Sequence, residues 1–116
     1  MVKLESLKKS YQFKKTLKEK RVHSEFFSIF ATKKFFQPEN KSSLLISFVM
    51  KKKIGNAVKR NKIRRKLKAI VQKLLKKRGA ISKDYTYIVL GKSNAYTQKQ
   101  TVLMPVMEKC FNKIKI

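Results

Sequence analysis

The chain has 116 residues, enough for one domain with a modest core and too few for two. With 31 Lys and Arg against 6 Asp and Glu the net charge is +25, yet 42% of residues are hydrophobic, which excludes a disordered polycation and points to a folded basic domain with a polyanionic partner. A single cysteine, Cys110, and a single histidine, His23, exclude an intrachain disulfide and a Cys/His zinc cluster.

Ser10 is a candidate cap for a first helix running to about Lys20, with Phe13 and Leu17 one turn apart on one face and lysines around the rest. Beyond Arg21 the pattern turns aromatic and β-branched. Phe27, Ile29 and Ala31 alternate with Ser28, Phe30 and Thr32, which reads as a strand with apolar groups on both faces. Gln37-Pro38-Glu39-Asn40 carries turn chemistry, and Leu45 to Lys51 follows as a second strand with Ile46, Phe48 and Met50 pointing one way.

Gly55 and Asn56 mark the change to helix, with Asn56 as N-cap and Ala57 as the first helical residue. Ile63, Leu67, Ile70 and Leu74 then fall in one sector of the wheel, with Val71 and Leu75 at its edge. The helix is expected to end near Arg78, where Lys76, Lys77 and Arg78 complement the dipole and Gly79 suits a left-handed cap. Asp84 to Leu90 reads as a third strand stopped by Gly91. A last helix carries Val102, Leu103, Val106, Met107, Cys110, Phe111 and Ile114 at helical spacing; Pro105 either kinks it or marks its true start. Cys110 on that stripe reads as a core filler.

The longest apolar run outside helical patterns, Leu44 to Met50, is broken by Ser47 and far too short to cross a bilayer. Met1 to Ser10 lacks the apolar stretch of a secretory signal, and no lipidation signal or amphipathic basic terminal helix is evident. Nucleic acid is therefore the expected partner rather than membrane, and the cytoplasm the expected location. Neither repeats nor linkers divide the chain, which reads as one domain over residues 1–116.

Charge is densest between Lys51 and Lys68, with ten basic residues in eighteen and no acid. Such a run often forms only a solvated face. Here the density favours phosphate binding, because Arg offers a planar fork to phosphate oxygens and Asn can bond a base edge or a sugar hydroxyl.

The segment Ile54-Gly55-Asn56-Ala57-Val58-Lys59-Arg60-Asn61-Lys62-Ile63-Arg64-Arg65-Lys66-Leu67-Lys68 resembles the signature of the bacterial ribonuclease P protein family. That signature is a lysine pair, here Lys52 and Lys53, then Ala, two variable positions, Arg-Asn, a basic residue, an aliphatic and a further basic cluster. The likeness spans nearly the whole chain and is strongest from Ile46 to Lys68. Lys51 and Val49 stand where the family tends to have small hydroxyl residues, no glycine follows the first helix, and Pro105 interrupts the last.

The resemblance implies an α/β (α+β) two-layer sandwich in αβββαβα order, with three helices, a four-stranded sheet and a left-handed βαβ crossover. The fourth, short strand is placed at Arg21 to Ser24. By position, Lys52, Lys53, Arg60, Asn61, Lys62, Arg64, Arg65 and Lys68 would bind the catalytic RNA subunit. Phe13, Leu17, Phe27 and Phe30 would line a cleft for the single-stranded 5′ leader of precursor tRNA. Stacking suits those aromatics; Phe13 and Phe30 fit a core equally well, and for Phe27 the core is favoured, since alternation alone does not say which sheet face is covered. Lys14 and Lys15 either guide the leader backbone or are simply solvated.

By the same resemblance, phosphodiester hydrolysis belongs to the RNA with Mg2+ used by the holoenzyme, and neither a membrane nor a protein partner is implied. The sequence supplies no His pair, no spaced carboxylate cluster and no nucleophile beside a base. The rival readings are a ribosomal or ribosome-assembly RNA-binding protein, and a nuclease acting without RNA.

Overall fold

The computed structural model describes residues 3–33, 43–77 and 79–115. Five strands and three α-helices follow in the order β1 (Leu4–Glu5), α1 (Ser10–Lys18), β2 (Lys20–His23), β3 (Phe27–Lys33), β4 (Leu44–Met50), α2 (Ala57–Leu75), β5 (Tyr85–Gly91) and α3 (Gln100–Ile114). Short 3₁₀ turns at Lys52–Ile54 and Ser93–Tyr96 precede α2 and α3. The turn expected at Gln37 to Asn40 lies outside the described residues, as does Arg78.

The strands form one sheet in the order β1-β4-β5-β3-β2. Adjacent β4 and β5 run parallel, joined through α2, while β3 pairs antiparallel with both β5 and β2. The expected four-stranded sheet is thus corrected to five, and αβββαβα becomes βαβββαβα. The extra strand is β1, whose Leu4 and Glu5 pair parallel with Leu44 and Leu45 at the sheet edge. Two residues are too few to display a period of two, so only the long-range pairing reveals it.

Side chains alternate across the sheet. Phe27, Ile29 and Ala31 of β3, Leu44, Ile46 and Met50 of β4, and Tyr85, Tyr87 and Val89 of β5 face α2 and α3 and form the main core. Into it α2 sends Ile63, Leu67, Ile70, Val71 and Leu74, and α3 sends Leu103, Met107, Cys110, Phe111 and Ile114. Tyr87 meets Phe111 edge to face at 5.0 Å and donates its hydroxyl to the Ser82 carbonyl at 2.6 Å, so a buried phenol is satisfied. Burial drives the Cys110 thiol above its ordinary pKa, in keeping with a core filler.

Helix α1 lies on the other face, where Phe13 joins Leu7, Phe30 and Ile88 in a small second cluster. The architecture is therefore more than the expected two layers, since a short helix partly covers the face opposite α2 and α3.

Helix ends follow local chemistry. Asn56 caps α2 as expected, its side-chain oxygen accepting from the Lys59 amide at 3.0 Å. Ser10 does not cap α1: Lys9 is the N-cap, and Gln12 Oε1 accepts from the amides of Lys8 and Lys9 at 2.9 and 3.0 Å. Helix α2 stops at Leu75, before the expected Arg78, as the amides of Lys76 and Lys77 reach back three residues to Lys73 and Leu74. Gly79 does take the left-handed conformation, with φ 77°. Helix α3 starts at Gln100 and continues through Pro105, so the proline is not its start.

Gly91 lets β5 approach α2 closely. A Cβ there would collide with Met50 Sδ and lie 3.1 Å from Ile63 Cγ2. Bare backbone at this point keeps α2, and the charges on its outer side, seated on the sheet.

Candidate nucleic-acid interface

The apolar stripe of α2 is buried, so its basic residues are left to the flanks and the outer side. Lys52 and Lys53 are exposed in the 3₁₀ turn just before it, and Asn61, Lys62, Arg65 and Lys68 are exposed on the helix itself. Arg60 and Arg64 are half-buried at the edge of the stripe. Arg64 donates through Nη1 to Asn61 Oδ1 at 2.6 Å, which sets the guanidinium and the amide as one unit a turn apart. Arg60 Nε is buried and finds no acceptor among the described residues.

Among the described residues, no carboxylate forms an ion pair with Lys52, Lys53 or the basic residues of α2 up to Lys68; the ion pairs Lys15–Glu19 and Lys77–Glu108 lie elsewhere. Charge that has no internal counterion is available to an external one. Lys66 is the exception in role. Its ammonium donates to the carbonyls of Ala95, Tyr96 and Gln98 at 3.0, 2.9 and 2.6 Å, and burial, with Lys62 as a lesser cause, lowers its pKa.

On the sheet face away from α2 and α3, Phe13, Phe30, Ile88, Val49 and Leu90 form a mixed patch of buried and half-buried apolar groups. It continues to the β2 edge, where His23 meets the Phe30 ring edge to face at 6.1 Å and shares a 2.6 Å hydrogen bond with Ser28 Oγ. At the opposite side the patch opens into a cleft of about 310 Å³, lined in part by Leu7, Phe13, Ser47, Val49, Arg64 and Lys68. The Leu7 amide donates to Ser47 Oγ at 2.8 Å and ties the chain before α1 to β4, fixing one wall.

The structure thus brings Phe13 and Phe30 into one apolar cluster; Phe13 lines the cleft together with Arg64 and Lys68, whereas Phe30 lies beside it and not in its lining. It does not bring in Phe27, which is fully buried on the α2–α3 side; the cleft role implied for it is corrected. The reason is parity: Phe27 and Phe30 are three residues apart on one strand and must face opposite ways. Leu17 is 44% exposed on α1 and outside the cluster. Sequence reasoning missed Ser47, Val49 and Leu7. The first two were within reach, since Ile46, Phe48 and Met50 facing one way puts Ser47 and Val49 on the other.

Among the described residues, no group of three or more His, Cys, Asp or Glu could hold a metal ion, and no helix is long and apolar enough to cross a membrane.

A family model described as Ribonuclease P matches residues 1–115. A ribonuclease P protein component of Mycoplasma mycoides is 29% identical over 109 residues, covering 94% of each chain. One from Streptococcus pneumoniae is 32% identical over 94 residues, 78% of this chain and 73% of that one. Among solved structures, the RNase P protein from Thermotoga maritima superposes with a TM-score of 0.73 at 20% identity over 94% of this chain and 96% of that one. The Staphylococcus aureus protein does so with 0.67 at 24%, over 96% and 95%. These two likenesses concern the fold alone. With the family match running from end to end of the described fold, the chain belongs to the ribonuclease P protein family.

Proposed function

We propose that this chain is the protein subunit of ribonuclease P, that it docks on the catalytic RNA through α2 and the turn before it, and that it receives the single-stranded 5′ leader of precursor tRNA in the cleft beside α1. The observation that carries this reading is the composition of that cleft: Phe13 and Val49 give it an apolar wall, while Arg64 and Lys68 bring two cations from α2 to its rim. A single strand needs both. Unpaired bases stack on aromatic and apolar surface with little regard to sequence, and the phosphates between them need cations at a matching edge.

Lys52 and Lys53 in the turn before α2, and Lys62 and Arg65 with the Asn61 amide on the helix, are exposed to solvent and suit a larger polyanion. Arg60 and Arg64 are half-buried, and Arg64 also lines the cleft. Docking on RNA would neutralise part of a net charge of +25 that the folded protein otherwise carries against itself.

In this reading the RNA hydrolyses the phosphodiester bond with Mg2+, and the chain contributes binding and orientation, working with precursor tRNA in the cytoplasm. Among the described residues no group of three or more His, Cys, Asp or Glu side chains offers a protein cage for a metal ion. No step is therefore assigned to a metal held by this chain.

Reconstitution tests the reading directly. Precursor tRNA and a bacterial ribonuclease P RNA are incubated at low Mg2+ with and without the protein, and cleavage at the mature 5′ end is scored. Cleavage that depends on the protein is the expected result. Cleavage by the protein free of RNA, or no gain with a cognate RNA, would overturn the division of labour.

A further inference from the structure

Helix α2 has a second charged flank, on the side away from the cleft. Lys59 and Lys62, one turn apart, both place their ammonium groups over the ring of Tyr96, at 5.1 and 4.9 Å from its centroid. Lys59 also donates to Ser93 Oγ at 3.1 Å. The ring therefore gathers two cations, neither with a carboxylate partner among the described residues, at one spot on the surface.

Tyr96 is held in place from behind. It belongs to the 3₁₀ turn Ser93–Tyr96, and the three carbonyls around it, those of Ala95, Tyr96 and Gln98, all accept from the Lys66 ammonium. Ala95 is fully buried in the main core at the same point. A third positive charge, half-buried, is thus engaged in fixing the turn, even though Lys62 opposes it electrostatically. Three like charges on adjacent turns of a helix repel, and an anion bound from outside would relieve that repulsion at Lys59 and Lys62.

We propose that Lys59, Lys62 and the Tyr96 ring form a second RNA contact, a phosphate clamp that grips the backbone of the ribonuclease P RNA on the flank of α2 opposite the cleft. Lys66 acts as its positioning residue by locking residues 95–98 to the helix. The clamp rests on the reading of the chain as an RNA-binding subunit. It adds Lys59, Tyr96 and Lys66, none of which the signature of the basic helix assigns.

The phosphate would sit between the two ammonium groups, with the Tyr96 face limiting their freedom before binding. Pre-ordering of long side chains lowers the entropy that binding otherwise costs. Because the half-buried Lys66 ammonium is taken up by three carbonyls, it is not a phosphate contact in this proposal, and its loss would act through the turn.

The test is binding of the full chain to a bacterial ribonuclease P RNA across a salt series, with thermal unfolding followed in parallel. Lys59→Met should weaken binding several-fold and flatten the plot of log affinity against log salt by about 0.7–0.9, one phosphate contact, without lowering the melting temperature. Tyr96→Phe, which keeps the ring, should bind as wild type, whereas Tyr96→Leu should follow Lys59→Met. Lys66→Met should flatten the slope equally, and adding Lys59→Met to it should change little more.

Arg65→Ala serves as the reference contact on the outer side of the helix. If Arg65→Ala flattens the slope and Lys59→Met and Tyr96→Leu do not, the clamp is wrong and the subunit reading stands. If the wild-type chain fails to bind the RNA, both fall. Should Lys66→Met lower stability while leaving the salt slope at the wild-type value, its role is structural and the positioning assignment is overturned.

Discussion

The two faces of the sheet are built from different materials. On the side of α2 and α3 the buried residues are apolar or aromatic, drawn mainly from three strands and two helices. On the side of α1 the same strands present Ser28, Thr32, Ser47 and Thr86, buried hydroxyls, interleaved with Phe30, Ile88, Val49 and Leu90. Thr16 of α1 is buried as well and donates to the Gln12 carbonyl at 2.7 Å. One face maximises apolar burial, and hence stability. The other interleaves buried hydroxyls with apolar groups, a less purely apolar surface that suits the proposed uptake and release of a hydrated strand.

The contrast is broken most sharply at the two phenylalanines of β3. Phe27→Ala empties a fully buried site in the main core and should cost about 3–5 kcal/mol of stability, read by chemical denaturation. Molecules that remain folded should bind a leader-bearing substrate as before. An equal loss of leader affinity in the folded fraction would mean that the two faces are not independent.

Phe13→Ala is the converse. It should weaken binding of precursor tRNA by about 1–3 kcal/mol while sparing mature tRNA, since stacking is lost only where a leader is present. Equal losses for both tRNAs would show Phe13 to be packing and not platform.

How much of this division is legible in the sequence depends on the range of the interaction that sets it. The long helix α2 is readable from Ile63, Leu67, Ile70 and Leu74 and from the Asn56 cap, because period and cap are both local. Strand alternation likewise separates Phe27 from Phe30. It does not say which of the two lies under α2 and α3, because that is decided by the parallel pairing of β4 with β5 across the helix between them. β1 is two residues long and exists only through its pairing with β4. Lys66 reads as one more cation in a basic run, and its three carbonyl acceptors lie about thirty residues further along the chain.

An effect of comparable size, but on stability, is expected at Ser47 on the α1 face. Ser47→Ala removes the acceptor for the buried Leu7 amide and should cost about 1–3 kcal/mol, measured as global stability. If the cleft wall depends on this tie, leader affinity falls together with stability, in contrast to Phe13→Ala, which separates the two.

The smallest and most discriminating change is at Arg64, which stands at the cleft rim on the helix otherwise assigned to the RNA subunit. Were α2 wholly committed to the RNA subunit, Arg64→Ala and Arg65→Ala would weaken assembly alike. The cleft position makes them differ. Arg64→Ala should lower leader-dependent affinity of the assembled holoenzyme and flatten its salt dependence by about 0.7, the single-strand value for one phosphate. Arg65→Ala should flatten assembly with the RNA instead. Asn61→Ala, which removes the 2.6 Å brace on Arg64, should give a weaker form of the Arg64→Ala defect, because the guanidinium keeps its charge and loses only its fixed direction. A loss confined to assembly in all three variants would place the boundary between the two RNA-facing surfaces at the cleft wall itself rather than along the helix.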